Sequence, residues 1–120
     1  MEKTLTLADL RQFSGSETWY RHGLVRHILY TEGVQHVAEQ GGAYWLLDEI
    51  ALGQKASREV AGEPFQLWTL TVHEDRTALL TCENGNCNPV FRKQIKYTDF
   101  PLDTIQLYFT NNTILLPSEY

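Results

Sequence analysis

Apolar residues recur mainly at helical spacing in the first half of the chain and in short alternating runs in the second. A first short helix is expected over residues 5–13: Thr6 caps it, Asp9 lies three residues on, and Leu5 can staple to Leu10. Residues 19–31 are rich in aromatic and β-branched side chains and are divided by Gly23, so residues 24–30 read as a strand. Whether residues 19–22 form another is left open. Thr31-Glu32-Gly33 starts a second helix, in which Val34, Val37 and Ala38 share one face, and Gly41-Gly42 stops it. A third helix runs from residue 43 to about residue 54. Ala43, Leu46, Leu47 and Ile50 form its main stripe, while Trp45 and Leu52 project on roughly the opposite side with Asp48 and Glu49 beside them.

Residues 55–64 read as a polar loop. Beyond it, residues 65–73, 77–83, 90–98, 104–110 and 113–116 read as strands. The separators Glu74-Asp75-Arg76, Asn84-Gly85-Asn86 and Asn111-Asn112 are short enough for hairpins. Helices ahead of a run of strands give the α+β pattern. The expectation is an antiparallel meander sheet of about five strands with three short helices packed on one face, in a single α+β domain over residues 1–120.

Composition narrows the class without naming a function. A chain of 120 residues with 42% apolar and 21% charged residues suits one domain that buries about two-thirds of its surface. Such a core needs neither metal nor disulfide staples. Fifteen acidic residues against ten basic ones give a net charge of -5, a field that opposes phosphate backbones, so nucleic acid is disfavoured as a partner. The start, Met1-Glu2-Lys3-Thr4-Leu5-Thr6, lacks the apolar core of a signal peptide, and no window approaches the roughly 18 apolar residues of a membrane span. A cytoplasmic protein with reduced thiols and no membrane contact is expected.

Several segments stand together in a fixed order: Ile28-Leu29-Tyr30-Thr31-Glu32-Gly33-Val34, Ala43-Tyr44-Trp45-Leu46-Leu47-Asp48-Glu49-Ile50, Phe65-Gln66-Leu67-Trp68, Tyr97-Thr98-Asp99-Phe100-Pro101-Leu102 and Leu116-Pro117-Ser118-Glu119-Tyr120. In these the chain, from about residue 7 to its end, resembles an uncharacterised family of small bacterial proteins common in cyanobacteria. The resemblance implies a single-domain protein whose function is unassigned, and it carries over no catalytic residue.

The side chains themselves offer a few constellations. Cys82 and Cys87 bracket Glu83-Asn84-Gly85-Asn86. An Asn84-Gly85 two-residue turn would set the cysteines opposite each other with Cα atoms about 4.5 Å apart, close enough for a bridge; two reduced thiols is the plainer reading. A Gly85-Asn86 turn would break that pairing. Two ligands do not make a zinc site, and no metal or other cofactor is expected. In Trp19-Tyr20-Arg21-His22-Gly23-Leu24-Val25-Arg26-His27, a strand over residues 24–30 would turn His27 toward apolar neighbours, leaving loop-borne His22 as the better ligand candidate. Arg92, Gln94 and Lys96 share one strand face opposite Phe91, Lys93, Ile95 and Tyr97, which suits the polar outer face of a sheet or a small basic strip for an anion. Asp48 and Glu49 lie about 100° apart around their helix and so do not form a catalytic pair. Asp99, ahead of Phe100-Pro101, reads as a turn residue bonding the backbone.

Three functional readings follow. The preferred one is a non-enzymatic interaction or regulatory protein that forms a homodimer through the Trp45/Leu52 ridge, since aromatic surplus favours interfaces. The alternative is a small enzyme or ligand-binding protein that uses His22, His27, Asp48 or Asp99 around a polar pocket between helices and sheet. A third, anion or nucleic-acid contact through Arg21, Arg26, Arg92 and Lys96, requires those four on one face.

Overall fold

Alternation in residues 65–72 decides how the sheet is covered. The computed structural model describes residues 5–6, 10, 12–13 and 18–120; the helix expected over residues 5–13 lies partly outside them. Strand β3 (Phe65–Val72) turns Gln66, Trp68, Leu70 and Val72 to the buried side. β4 (Ala78–Asn84) and β6 (Thr104–Thr110) do the same with Ala78, Leu80 and Cys82 and with Ile105, Leu107 and Phe109. Period-two alternation of this kind gives a sheet with one dry and one wet face.

The helices lie on the dry face. α1 (Glu32–Gly41) is capped by Thr31, whose side chain accepts from the Val34 N–H, and ends at Gly42 in the left-handed region (φ 62°), where the lack of a Cβ removes the steric cost. α2 (Tyr44–Ala56) buries the expected stripe of Leu46, Leu47 and Ile50 and comes against the sheet where Gly53 meets Trp68. A Cβ on Gly53 would stand 3.2 Å from the indole ring. Residues 55–64 are not a plain loop. α2 continues through them to Ala56, and Ser57 then caps a further turn, α3 (Arg58–Ala61), that buries Val60.

The expected five-stranded antiparallel meander is corrected to a mixed sheet of seven strands among the described residues, in the order β1-β2-β7-β6-β3-β4-β5. β1 (Trp19–Arg21) and β2 (Leu29–Thr31) pair antiparallel, and β2 runs parallel to β7 (Thr113–Leu115). β5 (Pro89–Ile95) follows β4 as a hairpin, but β6 returns past both to pair with β3. The reason lies in β5 itself. Arg92, Lys93 and Gln94 make it polar on both faces, which suits an edge, whereas β3 is apolar enough to take a partner on each side. The returning crossover is held by Arg76, whose guanidinium donates to the carbonyls of Thr98 at 2.9 Å and Phe100 at 2.7 Å. Buried Phe100 then packs under Gly41 at the end of α1.

The strand expected over residues 24–30 is confined to Leu29–Thr31. Residues 22–28 form the β1–β2 connection, closed by hydrogen bonds from the His22 N–H to the Ile28 carbonyl and from the Ile28 N–H to the Val25 carbonyl.

At the C-terminus, Pro117–Glu119 form a 3₁₀ turn that locks onto the start of α1. Glu119 Oε1 accepts from Thr31 Oγ1 at 2.6 Å and from the Leu116 N–H at 3.0 Å, and Oε2 accepts from the Gly33 N–H at 3.3 Å. A carboxylate at a helix N-terminus answers both the free N–H groups and the dipole. Tyr120 completes the latch by packing edge-on against Phe65 and Tyr108.

Candidate functional site

The buried face of β3 carries one polar residue in phase with Trp68, Leu70 and Val72. That residue is Gln66, fully buried. Its amide and that of Gln54 on α2 bond reciprocally, Gln54 Nε2 to Gln66 Oε1 at 2.8 Å and Gln66 Nε2 to Gln54 Oε1 at 2.9 Å. Gln66 Nε2 also reaches the carbonyls of Val60 at 2.7 Å and Glu63 at 3.1 Å, and Gln66 Oε1 accepts from the Trp68 indole at 2.9 Å. The burial of this amide is therefore fully compensated by partners.

The Gln54–Gln66 pair floors a hollow of about 340 Å³ where α2, α3, the β6–β7 turn and the β1–β2 connection meet. His27, Glu63, Asn111 and Asn112 line its rim. None of the four makes a side-chain hydrogen bond within the described residues; Asn111 and Asn112 bond only through their carbonyls, to Thr113 Oγ1 and the Leu29 N–H. Both asparagines have left-handed backbones (φ 52° and 59°), a conformation that asparagine tolerates better than most residues. The turn that places these asparagines is thus built into the sequence.

The residues singled out from the sequence do not share one site. His22 is buried, not a free loop ligand, and both ring nitrogens are occupied. Nδ1 accepts from the Leu24 N–H at 3.1 Å and the Val25 N–H at 3.0 Å, which assigns the hydrogen to Nε2, and Nε2 donates to Asp48 Oδ1 at 2.9 Å. With both ring nitrogens engaged, His22 has no lone pair to offer a metal in this arrangement. It nails the β1–β2 connection onto α2. His27, expected among apolar neighbours, is instead exposed on that connection, because the strand that would have turned it inward starts only at Leu29. Asp48 is accounted for by His22, and Glu49 by Lys93 at 2.6 Å. Asp99 is exposed on the crossover, where the backbone-bonding role expected of it falls to its neighbour: Thr98 Oγ1 accepts from the Phe100 N–H at 3.1 Å. Of the expected pocket residues, only His27 lines the polar hollow.

The four basic residues fall into two groups. Arg21 donates from its guanidinium to the Arg26 carbonyl at the β1 end, and Arg92 and Lys96 lie at the β5 end. Six strand spacings separate those edges, about 29 Å at 4.8 Å each, so one ligand patch does not span all four. Trp45 is half-buried and packs on the core, while Leu52 is 44% exposed. The cysteines are both free and do not face each other. Asn84 organises a longer turn, its Oδ1 accepting from the N–H groups of Asn86 at 2.8 Å and Asn88 at 3.0 Å. β4 therefore pairs Cys82 with Phe91 and leaves Cys87 in the turn at φ 64°. Burial, then the carboxylates of Glu63 and Glu83, pushes the Cys82 thiol up to about 12.

Sequence reasoning missed Gln54, Glu63, Gln66 and the two asparagines as site residues. The legible signal was Gln66, a polar side chain in the buried phase of an alternating strand. The asparagines read only as a turn.

Among the described residues no group of histidine, cysteine and acidic side chains is arranged to hold a metal, and no helix is long and apolar enough to cross a membrane. The chain belongs to the family of unknown function DUF6876, which it matches over residues 4–120. No curated protein and no solved structure matches it.

Proposed function

We propose that this member of a family without an assigned function is a binding protein, and that the hollow over the Gln54–Gln66 pair takes a small uncharged molecule bearing both hydrogen-bond donors and acceptors. One observation carries the reading: four polar residues whose side chains have no hydrogen-bond partner among the described residues, His27, Glu63, Asn111 and Asn112, line a preformed hollow of about 340 Å³. Ligand sites of this size are shaped by a rigid floor and a few convergent polar groups. The floor is rigid because every hydrogen of the Gln66 amide is committed. Glu63 favours hydroxyl and amide donors and disfavours anions, while the asparagine amides offer both donors and acceptors. A monosaccharide-sized polyol fits this description.

The test is protein-observed NMR of the full chain against a panel of monosaccharides, nucleosides and free amino acids. Support is a saturable shift confined to the amides around residues 27, 54, 63 and 111–112 that Asn112→Ala and Glu63→Gln each weaken. At a hundredfold excess over Kd such a ligand adds about 2.7 kcal/mol, a rise of roughly 10 °C in Tm for a domain of this length. A panel without such a response sinks the reading.

A second reading, a homodimer through α2, is favoured by a separate observation. Tyr44 and Leu52 are exposed on the outer side of α2 at 42% and 44%, and Leu24, beside His22 and Asp48, is 69% exposed. Half-buried Trp45 lies on the same line of the helix as Leu52, with Tyr44 to one side. Light scattering after gel filtration decides it: a dimer that Leu52→Asp turns into a folded monomer supports it, and a monomer at all concentrations removes it.

A further inference from the structure

The wet face of the sheet holds a second feature, independent of the polar hollow. Register places Arg92 opposite Thr81 and Gln94 opposite Leu79, so Arg92, Gln94 and Lys96 line the wet face along the edge strand and its exit. They wall a groove of about 440 Å³ with Leu79 at its floor and His73 and Thr77 at one end. Neither cation makes a hydrogen bond or ion pair within the described residues, whereas Lys93, between them on the other face, is taken by Glu49. Asp75, a carboxylate near the groove's end, is turned onto Thr77, accepting from its N–H at 3.0 Å and its hydroxyl at 2.6 Å. Two free cations are thus left facing an amide and an apolar floor in a chain whose overall charge is -5.

We propose that this groove binds the phosphate of a small phosphomonoester. Arg92 and Lys96 are four residues apart, about 13 Å along an extended strand. Each side chain reaches about half that distance, so an oxyanion above Gln94 meets both. Arginine offers a fork matched to two phosphate oxygens, lysine a point charge, and the Gln94 amide a third donor. The half-buried side chain of Leu79, directly across from Gln94, then supports the organic body of the ester. The overall negative charge works against weakly held anions, so only a dianion gripped from both ends is retained.

The experiment titrates the full ¹⁵N-labelled chain, at low ionic strength and neutral pH, separately with phenyl phosphate, inorganic phosphate and benzoate. Expected are saturable shifts at residues 79, 92, 94 and 96, with phenyl phosphate binding about tenfold more tightly than inorganic phosphate and benzoate weaker than both. Arg92→Gln lowers the affinity about tenfold or more, whereas Lys55→Gln, the same charge change on α2, leaves it unchanged. The proposal is overturned by no saturable shift at about 20 mM phenyl phosphate. It is equally overturned by equal effects of Arg92→Gln and Lys55→Gln, which mark a diffuse charge effect, or by benzoate binding as tightly as phenyl phosphate.

Discussion

Replacing Gln66 by leucine keeps the volume on β3 and deletes the amide, so it isolates what the buried network contributes. Five hydrogen bonds to or from nitrogen end on this side chain, and the Cys82 thiol adds a weak sixth to its Oε1 at 4.0 Å. Two of the strongly bonded partners it abandons, the Trp68 indole N–H and the Val60 carbonyl, are in buried bonds; the Cys82 thiol is a weak third. Gln54 and the Glu63 carbonyl border the hollow and regain water. At about 1–3 kcal/mol per buried orphan the two enclosed partners cost about 2–6 kcal/mol, and extra apolar burial by leucine returns about 1. The expected net loss is about 3 kcal/mol, set against a total near 6–18 kcal/mol for a domain of this length at 0.05–0.15 per residue. Urea denaturation followed by tryptophan fluorescence reads this as a midpoint lowered by about 1.5–2 M at unchanged slope. A second variant separates orphaned donors from lost packing. Trp68→Phe removes the indole N–H, so the double variant Gln66→Leu/Trp68→Phe loses less than the sum of the singles, by about 1 kcal/mol. A Gln66→Leu cost below about 1 kcal/mol, or strict additivity of the pair, refutes the account.

The two cysteines differ enough to be told apart by reagent and by pH. Native protein at mildly alkaline pH yields one thiol to Ellman's reagent, exposed Cys87, and denatured protein yields both; two fast native thiols contradict the assignment. Because the Cys82 thiol is raised from 9.0 to about 12, the folded chain keeps a proton that the unfolded chain releases between those values. Its contribution is complete below pH 9 and is lost as pH rises toward 12, by about 1.4 kcal/mol per unit and about 4 kcal/mol at most. Urea midpoints measured from about pH 8 to about pH 10.5 should fall less steeply in Cys82→Ser; parallel slopes remove this explanation. At the C-terminal latch, Glu119→Ala strands Thr31 Oγ1 and two backbone N–H groups and lowers stability by about 2 kcal/mol, with Glu119→Gln costing about half as much because an acceptor oxygen remains. Gly33→Ala should also lower Tm despite the better helix propensity of alanine, since its Cβ would stand 2.7 Å from both Glu119 Oε1 and Leu116 Cδ1; a gain in Tm from that change refutes the latch.

Local signals carried α1 and α2 well. Thr31 ahead of Glu32-Gly33 and the Gly41-Gly42 stop bound α1 as expected, and the stripe of Leu46, Leu47 and Ile50 is the buried side of α2. The sheet was legible in its strands and opaque in its order. Hairpin separators speak for neighbours in sequence, but nothing local says that β6 passes over β4 and β5 to reach β3, or that β2 runs parallel to β7. Those choices depend on which strand can bear an open edge and on long-range closure by Phe100 and Arg76. Site residues fared worse for the same reason. His22 drew attention as an imidazole beside arginines, and its chemistry is spent on Leu24, Val25 and Asp48, two of them its own chain neighbours. Asn111, Asn112 and Glu63 carry no motif, and only folding gathers them with His27.

The basic strip on β5 raises a sharper question, because an edge strand has its own reason to carry charge. Unpaired N–H and C=O groups along an edge invite another chain, and charged side chains discourage it. That role accounts for Lys93 as readily as for Arg92. It does not require that Lys93 be neutralised by Glu49 while Arg92 and Lys96 are left free on the other face over a hollow floored by Leu79. Edge protection is also indifferent to sign, whereas oxyanion recognition is not. Arg92→Glu therefore separates the two: it keeps a charge on the edge, so the chain stays as soluble and as stable as before, while phenyl phosphate binding disappears. If solubility falls together with binding, the positive charge guards the edge and the phosphate site is its by-product; if binding alone is lost, the edge strand was selected to hold an anion.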